Sequence, residues 1–246
     1  QGVHAVVIET IAGAAVGLIA GRVSRWVAKR LPPYLFQQWR TEACDVLDLE
    51  NLPLDSSARP GRTHTLQRGF LPEVVTALLS AYLMTAFGFT FLGAALLALT
   101  WGLMMLVLID AEHQVLPDVI VLPMLWLGLM ANQQRLIANL DDALYGAVAG
   151  YMVLWVCLTG FKVVTGRDGM GRGDLKMLAM LGAWGGWQVL PLIFLLSSTT
   201  AAVYGLSAKA FSRTDSGPQY PFGPFLAIGG FVAIIWGDTI AAAYLA

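Results

Sequence analysis

The sequence predicts an all-α, polytopic membrane protein of about eight transmembrane helices, with a small loop-rich cytoplasmic subdomain between the first and second. Three observations carry this. Of the 246 residues, 57% are hydrophobic and only 13% charged, far from the balance of a soluble domain. Apolar runs long enough to cross a hydrocarbon core of roughly 30 Å, about 20 residues each and fewer within a packed bundle, recur along the chain. Finally, fourteen of the fifteen Lys and Arg residues fall on one side when those runs alternate in direction, and only Arg135 falls on the other. Basic residues mark the cytoplasmic side, so both termini are expected outside.

The runs are, in order, Val3 to Gly21, Leu71 to Gly88, Thr90 to Ile109, Val119 to Ala138, Ala143 to Val164, Leu175 to Trp184, Val189 to Leu206 and Phe222 to Leu245. The first is followed by arginines and lacks a basic leader, which fits a retained helix better than a secretory signal. Between it and the second lies the one sizeable polar region, whose Pro, Ser, Asp and Gly read as a segment with few regular elements. The division is therefore residues 1–21 as the first helix, 22–70 as the cytoplasmic subdomain and 71–246 as the main membrane domain of about seven helices. The sixth run is short and ends in glycines (Gly182, Gly185, Gly186), and the connections around Gly88 and Gly185 have room only for turns.

Several function classes fall away at this level. The basic face is explained by topology, so no nucleic-acid partner is implied. Cys44 and Cys157 are the two cysteines, too few for a four-thiolate zinc site. His113 has no second histidine near it, and neither a metal site nor a serine nucleophile takes shape around it.

Two acids stand out. Asp110 closes the third run and Asp174 opens the sixth, which places two carboxylates from distant parts of the chain at one depth on the cytoplasmic side. A carboxylate at the edge of a hydrocarbon slab is partly desolvated, and a second beside it makes double ionisation costly. Such a pair tends to share one proton, the ionised member drawing a proton from water while the protonated member donates to a carbonyl oxygen. The stretch GMGRGD, Gly169 to Asp174, adds glycines that are free to take positive φ or to let another backbone approach. A plainer reading makes Asp174 a helix cap before LKMLAML. In LIDAEHQVLPDVIVLP, Glu112 and Asp118 lie near Asp110, and Glu73 opens the second run at the same edge. Glu9 and Asp238 fall toward the external side, and the tryptophans at 101, 126, 155, 184, 187 and 236 suit interface or packing roles. A proton- or cation-coupled transporter is the alternative; it would place acids near mid-bilayer in matching broken halves, whereas these acids sit at one edge and no repeat is visible.

The stretch IDAEHQVLPD resembles the I-D-x-x-x-x-x-L/I-P-D/N signature, and GRGD the G-x-G-D signature, of the type IV prepilin peptidases, which are membrane aspartic proteases. GLIAGRVSRWVAKRLP, PEVVTALLS, LGAWGGW and YPFGPFLAIGG are similar to further segments of that family. By their place at the cytoplasmic edge beside the pair, Glu73, Glu112, Pro117 and Asp118 are expected to bind substrate or support the site, and the resemblance implies Asp110 and Asp174 as catalytic aspartates with Gly171, Gly173 and Lys176 as support for the catalytic loop. It implies a multi-pass protein of the bacterial inner membrane whose site faces the cytoplasm. There it would cut the basic leader of type IV prepilins or type II secretion pseudopilins, with no cofactor for proteolysis. Many members then N-methylate the new terminus with S-adenosylmethionine. This chain keeps Cys44 alone where many members carry two Cys-x-x-Cys pairs, so zinc is not implied. Glu112 replaces a frequent Asp, and Ser24 to Trp26 replaces an Asn-containing stretch, which leaves the methyl-transfer half open.

Overall fold

A computed structural model describes residues 3–46, 69–166, 171–211 and 221–245. Among them are eight α-helices: α1 Val3–Val46, α2 Leu71–Phe87, α3 Phe91–His113, α4 Asp118–Gln133, α5 Leu140–Thr165, α6 Arg172–Gly185, α7 Leu190–Phe211 and α8 Gly223–Leu245, with a 3-10 turn at Trp187–Val189 before α7. The helices Val6–Val46, Phe91–His113, Leu140–Thr165 and Trp187–Ser207 are each long and apolar enough to cross a bilayer, and three more are shorter and apolar. The chain is a multi-pass membrane protein.

Three boundaries differ from the sequence expectation. Helix α1 does not stop near residue 21 but continues to Val46, through Pro32 and Pro33. Two missing N–H donors would ordinarily end a helix, but packing carries it on: Ala28 and Leu35 are buried, and Phe36 meets His113 edge-on at 6.1 Å. Residues 22–46 are thus helical rather than loop-rich, while 47–68 lie outside the described residues. Helix α4 ends at Gln133, not Ala138, because the Asn132 Oδ1 accepts the backbone N–H groups of Ile137 and Ala138 at 3.2 and 3.0 Å and turns the chain. Helix α3 runs past Ile109 to His113, where Gln114 takes a left-handed conformation (φ 54°) and donates its N–H to Asp110 O. The expected turns do form, with Gly88 and Gly186 at φ 63° and 81°.

Small residues decide how the helices pack. Along α1, Gly13, Gly17 and Gly21 recur every fourth residue and face α2. A Cβ on Gly17 would lie 2.7 Å from Ala77 Cα, and one on Gly21 would lie 2.7 Å from Glu73 Cα, so only glycine lets these backbones touch. Helix α5 meets α6 in the same way: Gly146 and Gly182 face each other, and Gly150 rests on Leu178 O. Much of the rest of α5, including Leu144, Tyr145, Val148, Met152 and Val156, is exposed, which suits lipid rather than water.

Helix α6 forms the centre. With 14 residues it is about 21 Å long, too short to cross comfortably alone. Yet every residue from Leu175 to Gly185 except Lys176 is buried. Its Met177, Leu178, Met180 and Leu181 join Leu99, Leu103, Leu106, Ile193 and Leu226 in the main apolar cluster. The shortest apolar run of the sequence is therefore the one that α3, α4, α5, α7 and α8 pack around.

Candidate active site

Asp110 stands on the last turn of α3, flanked by Leu108 and the fully buried Ile109, and is itself only 5% exposed. Its Oδ2 accepts a hydrogen bond from the backbone N–H of Gly223, at the start of α8, at 2.9 Å. Asp174 is the third residue of α6, 6% exposed, near the positive end of that helix's dipole. Both aspartates line one cavity of about 310 Å³. Their separation of 64 positions in sequence is thus closed by the fold.

The two motifs meet through Gly173. A Cβ there would fall 2.9 Å from Leu116 Cβ, so the glycine allows the first turn of α6 to rest on the loop that follows Asp110. This corrects the expectation for the glycines: among the described ones, neither Gly171 (φ −71°) nor Gly173 needs a positive φ, and the close visitor at Gly173 is Leu116. Gly169 lies outside the described residues. Gly171 is the N-cap of α6, and Asp174, two residues inside the helix, does not cap it from outside.

The remaining candidates divide by place. Lys176 donates to both oxygens of Asp118 at 2.8 and 2.7 Å, tying α6 to the start of α4 on the cavity wall. Lys176 and Gly173 are helical residues rather than parts of a loop. Pro117 is the N-cap of α4, and its carbonyl accepts the N–H groups of Ile120 and Val121. Glu112 is buried on α3, with Oε2 at 4.0 Å from His113 Nε2. Glu73 is buried on α2 and pairs with Arg25 of α1, Nη2 to Oε1 2.6 Å, while Arg25 Nη1 donates to Gly69 O at 3.1 Å. Neither Glu73 nor Glu112 nor Pro117 is among the residues lining the cavity of the aspartates.

Sequence reasoning missed Trp39, Gln114, Arg172 and the Gly223 amide. Trp39 reaches the cavity wall only because α1 extends past Pro33, which its composition argued against. Gln114 and Arg172 stood inside the quoted motifs without a role. A larger cavity, about 690 Å³, lies between α1, the turn at Gly88 and α3, but its walls, among them Ala12, Val16, Met84 and Leu97, carry no titratable group. Cys44 and Cys157 are free thiols.

A multi-pass helical protein in which two buried aspartates from separate helices open onto one cavity belongs to the class of membrane proteins built around a carboxylate pair. Comparison with known proteins gives the family. The profile of the type IV leader peptidase family matches residues 97–206, a stretch that holds both aspartates. A Pseudomonas aeruginosa protein named prepilin leader peptidase/N-methyltransferase is 46% identical, over 93% of this chain and 91% of that one. Proteins of the same name from Stutzerimonas stutzeri and Pseudomonas putida are 44% and 43% identical, over 93% and 92% of this chain and 91% and 90% of theirs. No solved structure matches. The chain belongs to the type IV leader peptidase family.

Proposed function

We propose that the protein hydrolyses the leader peptide of type IV prepilins or type II secretion pseudopilins, with Asp110 and Asp174 as the catalytic pair. The observation that carries this reading is the shared cavity of two nearly buried aspartates at the ends of α3 and α6. Two carboxylates removed from water in one cavity hold one proton between them more readily than none, and the pair titrates as a unit. In the reaction the ionised member takes a proton from water as the oxygen attacks the scissile carbonyl, and the protonated member gives its proton to the carbonyl oxygen. Collapse of the resulting diol breaks the C–N bond, the amine leaves with a proton, and the pair returns to a single proton. No covalent enzyme intermediate forms. Nothing in the comparisons favours the transporter alternative.

The site would face the cytoplasm across the inner membrane, with both termini periplasmic, and the substrate's apolar helix would lie in the bilayer beside the bundle. Position-specific labelling of single cysteines from either side of the membrane tests this orientation. The second activity in the relatives' name, N-methylation, would draw its methyl group from S-adenosylmethionine. Among the described residues the aspartate cavity measures about 310 Å³, at the lower end of pockets that hold one drug-sized ligand, and it is assigned here to the peptide bond. No methylation step is placed there.

The deciding experiment is cleavage of a prepilin by purified protein in detergent or liposomes, comparing wild type with Asp110→Asn and Asp174→Asn. Each variant should lose at least about a thousandfold in rate, since the acid–base work of one member cannot be done by an amide. Cleavage within about tenfold of wild type by either variant would overturn the mechanism.

A further inference from the structure

We propose that Gly223 is a positioning residue for Asp110: the amino end of α8, kept bare of a side chain there, fixes the direction of the Asp110 carboxylate in the cavity. The inference rests on the reading of Asp110 as a catalytic group.

Three observations lead to it. First, the Gly223 N–H to Asp110 Oδ2 hydrogen bond, 2.9 Å and buried, joins residues 113 apart in sequence. With one lone pair of Oδ2 engaged, Oδ1 is the freer oxygen for water or a proton. Second, the start of α8 has this donor to give. The first N–H groups of a helix lack intrahelical partners; here Pro224 has none, and those of Phe225 and Leu226 both donate to Phe222 O at 3.1 Å. The Gly223 amide, at the positive end of the helix dipole, points at the carboxylate.

Third, the space is spoken for. An ideal Cβ on Gly223 would lie 2.6 Å from Asp110 Oδ2, 3.0 Å from its Cγ and 3.2 Å from its Cβ. These atoms belong to a short side chain on a buried helical turn, with fully buried Ile109 next to it, so they cannot swing clear as the tip of a long side chain would. Backbone conformation gives no competing reason for glycine: the described glycines with positive φ are Gly88, Gly166 and Gly186, and Gly223 is not among them. What the position demands is absence of volume next to a carboxylate.

The test is Gly223→Ala, assayed beside Asp110→Asn for prepilin cleavage and for thermal unfolding in detergent. The added methyl should push the carboxylate aside and lower kcat about 10- to 100-fold with KM within about twofold, the pattern of a lost transition-state geometry rather than lost binding. In unfolding, Gly223→Ala should lower Tm in the wild-type background and do so much less in an Asp110→Ala background, where the obstructing atoms are gone. Equal Tm losses in the two backgrounds would overturn the proposal, as would a wild-type kcat. If Gly223→Ala alone fails to fold, recovery of folded protein in the Asp110→Ala double variant supports it, and failure of both refutes it. An inactive Asp110→Asn beside a fully active Gly223→Ala would sink the positioning role and leave the aspartate pair standing. An active Asp110→Asn would instead remove the reading beneath it.

Discussion

At its carboxyl end, α6 is tied to α4 by a closed set of hydrogen bonds. The fully buried Asn132 donates its Nδ2 to Ala183 O and Trp184 O at 2.9 and 2.8 Å while its Oδ1 accepts from Ile137 and Ala138, and Trp184 Nε1 donates to Met124 O at 2.8 Å. At its amino end the same helix presents Asp174, almost as buried, to a cavity and to a second carboxylate. One end spends its polar groups on structure. The other keeps a polar group available at a cost in stability, since a buried carboxylate beside another is costly. The comparison teaches a division of labour: a short helix anchored at one end holds a reactive group at the other.

The largest expected effect tests the anchor along the helix shaft. A side chain at Gly182 would overlap the carbonyl of Gly146, so Gly182→Val should cost upwards of about 4 kcal/mol and leave little folded protein. Gly160, on the same α5 but with no atom within 4 Å of a Cβ, serves as the control, and Gly160→Val should change Tm little. Equal behaviour of the two variants in a detergent melting assay would show that α5 and α6 do not meet through bare backbone.

Asn132→Ala comes next and separates the two ends of α6. It strands two buried carbonyls, each costing about 1–2 kcal/mol, and two part-buried amides that water can reach at little cost, so a loss of roughly 2–4 kcal/mol is expected. The folded fraction should still cleave at near the wild-type rate per molecule, because Asn132 lies at the far end from Asp174. A drop in kcat at unchanged Tm would mean that the ends are coupled and that the division of labour is wrong.

Much of this was legible in the sequence, and what was not has physical reasons. Hydropathy and the bias of basic residues placed Asp110 and Asp174 at one depth, because both signals report position along the membrane normal. Neither signal reports neighbours within the membrane plane. The contact between Asp110 and Gly223 is therefore invisible in the sequence, although YPFGPF carries the glycine. Composition misjudges α1 after residue 21, where Pro32 and Pro33 weigh against a helix locally, because it does not register the packing of Ala28 and Phe36 on α3 or the burial of Leu35. It also undervalued α6, whose glycines read as weakness but serve as the surface on which α5 packs. Asn132 lies unmarked within the apolar run Val119 to Ala138, and only its four partners reveal a clamp.

The smallest expected effect probes the amino end of α6 by loosening the ion pair of Lys176 with Asp118. Lys176 is 36% and Asp118 51% exposed, and exposed pairs of this kind contribute between nothing and about 1 kcal/mol, so Lys176→Met should leave Tm nearly unchanged. Its effect on catalysis depends on what Asp118 is for. If Asp118 helps attract a basic leader to the cavity, Lys176 competes with the substrate for it. Removing Lys176 should then lower KM for a lysine-rich leader by about two- to threefold at low salt, and the gain should vanish as salt screens charges beyond roughly 8 Å at 0.15 M ionic strength. If instead the pair braces Asp174 against α4, kcat should fall and KM should stay. Steady-state cleavage at two salt concentrations distinguishes the cases, and a fall in kcat beyond about tenfold would extend the structural clamp of the far end to the end that carries the acid.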